Sequence, residues 1–187
     1  MKTKDMILVA MFAVLTAVGA FISIPIPPVP VTLQFLMCIL SGAVLGAKKG
    51  AMSQILYVFM GLVGLPIFAG GKGGIGHVMS PTFGYLIGFV VCAFIVGKAV
   101  ESSKSFSIAR AFGGALIGLA LTYVIGASYL YAILNYVLES PIDIMGAVKV
   151  GVLPFALKDA IIAGIGSVVA GVLIPRLKEN GLIGEKL

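Results

Sequence analysis

Six apolar runs follow one another along this chain, and nearly all of its charge lies at their ends. They span roughly residues 6–22, 33–47, 51–65, 83–99, 111–136 and 145–177. A segment immersed in hydrocarbon must satisfy its own backbone N–H and C=O groups, which a helix does internally. The pattern therefore dictates a membrane-embedded all-α fold, with six transmembrane helices in one compact bundle. With 60% hydrophobic and only 11% charged residues, the chain falls far below the roughly 25% charge of a soluble domain. Residues 1–187 read as a single membrane domain, with no room for a separate nucleotide-hydrolysing one. The second and third runs are short against the ~20 residues a span requires. The sixth is long and holds Pro154, which should break or start a helix. The first run exceeds a signal-peptide core and reads as a retained helix.

The net charge of +6 would point to nucleic acid in a soluble protein, but here it is a matter of topology. If the N-terminus is cytoplasmic and each run crosses once, Lys2, Lys4, Lys48, Lys49, Lys98, Lys104, Arg110, Arg176, Lys178 and Lys186 lie inside. Lys72, Lys149 and Lys158 lie outside. That asymmetry predicts six crossings with both termini cytoplasmic. The outer connections are the elaborate ones: a proline-rich arm at 24–31, expected to be stiff and polyproline-like, and a glycine-rich loop at 64–84. A ligand should therefore be met from outside.

Lys158 and Asp159 interrupt the sixth run with adjacent opposite charges. Each would cost about 2.5–3.5 kcal/mol near mid-membrane, so such residues mark functional sites. On the expected topology Gln34, Tyr85 and Asn135 lie at similar depth, forming one outward-facing polar pocket with apolar walls. Lys158 or backbone amides can hold a ligand carboxylate, and Asp159 can accept N–H bonds from a neutral ring. Gly70, Gly71, Gly73 and Gly74 offer a flexible lid with exposed N–H groups. The loop lacks a Walker sequence, since Gly73 and Gly74 follow Lys72, so no ATP hydrolysis is expected of this chain.

His77 with Ser80 makes no catalytic pair. One histidine and two dispersed cysteines, Cys38 and Cys92, make a poor metal set; buried free thiols are expected. Small residues at four-residue spacing, Gly42/Gly46, Gly114/Gly118 and Ala13/Ala17, mark close helix contacts. Two readings follow from the residues: an intramembrane enzyme, disfavoured by the lack of a nucleophile–base set, and an autonomous secondary transporter of a small organic anion. The second would work in proteoliposomes without ATPases.

The stretch Gly64-Leu-Pro-Ile-Phe-Ala-Gly-Gly, then Gly73-Gly, then Pro81-Thr-Phe-Gly-Tyr-Leu-Ile-Gly-Phe89 closely resembles the signature of the BioY family. These are the biotin-specific S components of energy-coupling factor (ECF) vitamin transporters. Pro28-Val-Pro-Val-Thr-Leu-Gln34 resembles the family's first outer loop, and Pro154-Phe155 followed by Asp159 the start of its last helix. The resemblance implies a six-helix subunit in a prokaryotic cell membrane that captures biotin at its outer face. It implies biotin as ligand, no cofactor, no nucleic acid, and as partners a transmembrane coupling protein and two ATPases. Ala13-x-x-x-Ala17 resembles the family's docking motif. An S component for another vitamin is the nearest alternative.

The chain departs from the family pattern at two points. The pattern has a Gly before the Asp and a Lys three residues after; here Lys158 precedes Asp159 and Ile162 follows. On a helix those two lysine positions lie only about 40° apart, so Lys158 is expected to serve the same face. Ser80 stands where a Gly is usual.

Overall fold

A computed structural model describes residues 2–25, 28–103 and 105–183. Lys104 and Lys186, used above for orientation, lie outside the described residues, as do Ile26 and Pro27 of the proline-rich arm. The helices are α1 (Thr3–Phe21), α2 (Gln34–Leu45), α3 (Ala47–Leu62), α4 (Phe83–Glu101), α5 (Ile108–Tyr136), α6 (Ile144–Gly151) and α7 (Leu153–Glu179). Two-residue strands β1 (Ser23–Ile24) and β2 (Val31–Thr32) pair antiparallel and clasp the two ends of the proline-rich arm into a hairpin.

Among the described residues, α1, α4, α5 and α7 are long and apolar enough to cross a membrane. With 12 and 16 residues, α2 and α3 are about 18 and 24 Å long at 1.5 Å per residue, short of a ~30 Å hydrocarbon core. The reason for α2 is burial: ten of its residues, from Gln34 to Leu45, are inside. A helix apolar all round belongs in a core, and α2 is packed by α1, α3, α4 and α7. The sixth run is two helices. Val152 leaves helical geometry (φ −124°, ψ −58°) and Pro154 sits in the first turn of α7, where its missing N–H costs nothing.

Close helix contacts rest on small residues. A Cβ on Gly42 would strike the Ala93 carbonyl oxygen on α4. Gly114 and Gly118 of α5 face Ala99 and Cys92 of α4 in the same way. Gly46 instead makes the turn between α2 and α3, with φ +81°. Cys38 and Cys92 are buried free thiols.

One end of the bundle gathers both chain ends. The Lys4 ammonium donates to the Gly181 carbonyl, Lys49 pairs with Asp5 at 2.7 Å, and Glu101 caps the start of α3 by accepting from Ala47 N at 2.9 Å. The hairpin and the glycine-rich loop occupy the opposite end.

Ala13 and Ala17 face the interior of the bundle. Ala13 is fully buried and Ala17 is 7% exposed, and they pack with Tyr57, Phe68, Phe83 and Leu86. Their methyl groups are spent on contacts within the subunit. In this conformation Ala13 has no exposed surface and Ala17 very little.

Candidate functional site

The start of α7 brings Lys158 and Asp159 to the wall of a cavity at the loop-bearing end. The cavity holds about 650 Å³ of empty space, its open mouth included. The hairpin contributes Val29, Pro30 and Thr32, and α2 adds Gln34 and Phe35. The glycine-rich loop supplies Phe68, Ala69 and His77. From α4 come Tyr85, Leu86 and Phe89, from α5 Leu119, Thr122 and Tyr123, and from α7 Phe155. The walls are largely aromatic and aliphatic, with polar groups confined to a few points.

Asp159 is the most committed of these. Its Oδ2 accepts from the Tyr123 hydroxyl at 2.7 Å, and Lys158 Nζ stands 2.5 Å from Oδ1. Oδ1 thus has a neighbouring charge but no aligned hydrogen bond. A carboxylate offers about four acceptor positions, so Asp159 keeps capacity for an N–H donor. Lys158 Nζ also reaches the Thr32 carbonyl at 3.4 Å, tying α7 to the hairpin. Ile162 is buried in the core away from this pair, and Lys158 is the cation that lines the cavity.

Gln34 sits in a chain of side-chain bonds. Thr32 Oγ1 donates to Gln34 Oε1 at 3.0 Å. Gln34 Nε2 donates to the Tyr57 hydroxyl at 2.8 Å, which in turn donates to the Ile67 carbonyl at 3.1 Å. Tyr85 lines the wall with its ring, while its hydroxyl donates to Gly151 O at 2.9 Å, bracing the break between α6 and α7. No Cβ fits at Gly151 beside that hydroxyl.

Asn135 is not on the cavity wall. Its amide donates to the carbonyls of Tyr131 at 2.9 Å and Ile142 at 3.0 Å, fastening the α5–α6 connection. Gly70, Gly71, Gly73 and Gly74 are not on the wall either, and the N–H groups of Gly71 and Gly74 are already committed within the loop. Gly71 N donates to Phe68 O and Gly74 N to Gly61 O, at 3.0 and 2.7 Å. Gly70, Gly71 and Gly74 take positive φ, shaping a tight loop that presents Phe68, Ala69 and His77. A short 3-10 turn, Ile75–Met79, stacks His77 on Phe68 with ring centroids 4.5 Å apart. Burial, and after it the nearby Lys72 ammonium, hold the His77 imidazole below its ordinary pKa.

Tyr123 and Thr32 belong to the site without having been picked from the sequence. For Tyr123 a signal existed. It lies near the middle of α5, too far from either end to anchor in the headgroups as interfacial tyrosines do. Among the described residues no three His, Cys, Asp or Glu side chains come together as a metal site.

The BioY family model matches residues 1–179. A probable biotin transporter BioY of Lysinibacillus sphaericus is 46% identical over 72% of this chain and 68% of its own length. A biotin transporter BioY of Thermotoga maritima is 40% identical over 94% of this chain and 96% of its own. Among solved structures, the S-component for biotin from an ECF-type ABC transporter superposes with a TM-score of 0.80. It is 26% identical and covers 92% of this chain and 94% of its own. With the family model matched over nearly its whole length, the chain belongs to the BioY family.

Proposed function

We propose that this chain is the biotin-binding S component of an ECF-type vitamin importer. The observation that carries the reading is the meeting of Gln34, Tyr123, Lys158 and Asp159 in a largely aromatic and aliphatic cavity. Biotin presents a ureido ring with two N–H donors, an apolar sulfur ring and a carboxylate. Asp159 accepts a ureido N–H, and Lys158 provides positive charge for a ligand oxygen. Phe35, Phe68, Tyr85, Phe89 and Phe155 enclose the apolar ring. The relatives named for biotin support the same ligand.

The whole chain acts as one membrane unit with six crossings. Both termini face the cytoplasm, and the cavity opens to the outer side of a prokaryotic cell membrane. The lysine and arginine asymmetry and the shared position of the termini support this orientation. Energy for release comes from a coupling protein and two ATPase partners, since the chain has no Walker sequence of its own.

Calorimetry on the purified subunit tests the proposal. Biotin is expected to bind without nucleotide, with no heat from other vitamins. Silence with biotin and binding of another vitamin would overturn the substrate. Ion-driven uptake by the chain alone in liposomes would make it a secondary transporter.

A further inference from the structure

Tyr57 is fully buried on α3, is absent from the cavity wall, and touches two parts of the site at once. We propose that Tyr57 is a positioning residue. It fixes which way the Gln34 amide points and makes that orientation depend on closure of the 63–82 loop. The proposal rests on the biotin reading above, because it assigns Gln34 to the ligand's urea edge.

A primary amide can turn by 180°, exchanging donor and acceptor, and only its neighbours decide between the two. Both neighbours of Gln34 are hydroxyls, Thr32 on one side and Tyr57 on the other. A hydroxyl can donate or accept, so neither decides by itself. The decision comes from the loop. The Ile67 carbonyl can only accept, and at 3.1 Å it takes the Tyr57 proton. Tyr57 is then left as an acceptor toward Gln34, so Nε2 must face Tyr57 and Oε1 must face Thr32. One Nε2 hydrogen and one Oε1 lone pair remain. Together they match an N–H beside a C=O, the pattern at the edge of a urea.

The loop is seated where this control needs it. Phe68 is almost fully buried, edge-on to the Tyr57 ring with centroids 5.6 Å apart. It lies against Gly61, where a Cβ would collide with its ring. If the loop lifts, Ile67 leaves, the Tyr57 proton is freed, and Gln34 loses its fixed sense. An open loop therefore goes with an undecided amide, and a closed loop with a readable one.

The test uses full-length protein in detergent with biotin and 2-iminobiotin, in which an imine replaces the ureido C=O. Tyr57→Phe keeps the ring against Phe68 and removes only the hydroxyl. Loss of one hydrogen bond's worth of fixing should weaken biotin about tenfold and 2-iminobiotin much less, so the preference between them narrows. In a Gln34→Met background, Tyr57→Phe should add nothing.

A second variant reads the loop directly and needs no ligand. Gln34→Glu places an acceptor-only group beside Tyr57, which must turn its proton away from Ile67. Trypsin should then cut faster after Lys72. Three results would each overturn the proposal: an unchanged biotin preference in Tyr57→Phe, an equal and additive loss in both backgrounds, or unchanged cleavage in Gln34→Glu. Failure of the unmodified protein to bind biotin would instead sink the biotin reading, and the cleavage result would still judge the link between Tyr57 and the loop.

Discussion

Asp159 holds two partners with one carboxylate, the Tyr123 hydroxyl and the Lys158 ammonium. Asp159→Asn keeps the shape and removes the charge. Lys158 is partly open to solvent, its side chain 31% exposed, so water can take over much of the lost pairing and the subunit should still fold. The ligand suffers more. A hydrogen bond to a charged group is worth about 1.5–3 kcal/mol, so biotin binding should weaken roughly ten- to hundredfold by calorimetry. The thermal midpoint without ligand should change little. Lys158 and Asp159 stand out in the sequence because opposite charges inside an apolar run are costly. Tyr123 was hidden because tyrosines in membrane helices usually read as interface anchors. Asn135 poses a related difficulty: a polar side chain near a helix end can cap a connection or face a pocket, and one sequence cannot separate the two. Gln34 stands out as a polar residue at a helix start, but its partner Tyr57 lies in another helix, and no spacing rule joins them.

At the level of elements, the glycine-rich loop is held by the end of α3 rather than by its own flexibility. Phe68 lies on Gly61, and Gly74 N donates to Gly61 O. Gly61→Ala favours the helix by about 1 kcal/mol yet pushes Phe68 off its seat. The variant should fold, but the loop should sit open. Biotin dissociation should accelerate about tenfold or more in a filter-binding chase, with little loss of thermal stability.

The loop also carries a titration. Burial and Lys72 depress the His77 pKa, so closure favours the neutral ring. This contribution is complete above the ordinary imidazole pKa of about 6.5, and it is lost as pH falls through the lowered value of the closed state. Lys158 and Asp159 are the other charged groups that line the same cavity. Bound biotin should leave faster at acid pH than at neutral pH, and His77→Gln should flatten that dependence. Acid sensitivity that survives in His77→Gln would assign it to another group. Pro154 announced the break before α7, whereas the shortness of α2 was legible only as a run too brief to span. That α2 is short because it is central became clear only from its packing.

For the molecule as a whole, placement in the membrane and attachment to partners are separate questions. Placement can be read with single added cysteines, because Cys38 and Cys92 are fully buried and should stay silent toward polar maleimides. Ser140→Cys, on the exposed α5–α6 connection, should label from outside cells, and Lys48→Cys only after permeabilisation. The reverse pattern would invert the subunit. Attachment turns on Ala13. Small residues four apart on α1 read equally well as an outward docking face or an inward seam, and sequence spacing does not tell which side of a helix meets its own bundle. In the bundle described here Ala13 lies in the seam, with no exposed surface and beside Tyr57 and Phe68. Ala13→Trp must then displace the residues that seat the loop. Overpacking of this kind costs about 1–3 kcal/mol or more. Thermal midpoint, biotin affinity and co-purification with the transport partners should therefore fall together. If Ala13→Trp bound biotin normally and lost only its partners, α1 would have to turn Ala13 outward in the assembled transporter, and the bundle described here would be a resting form that rearranges on docking.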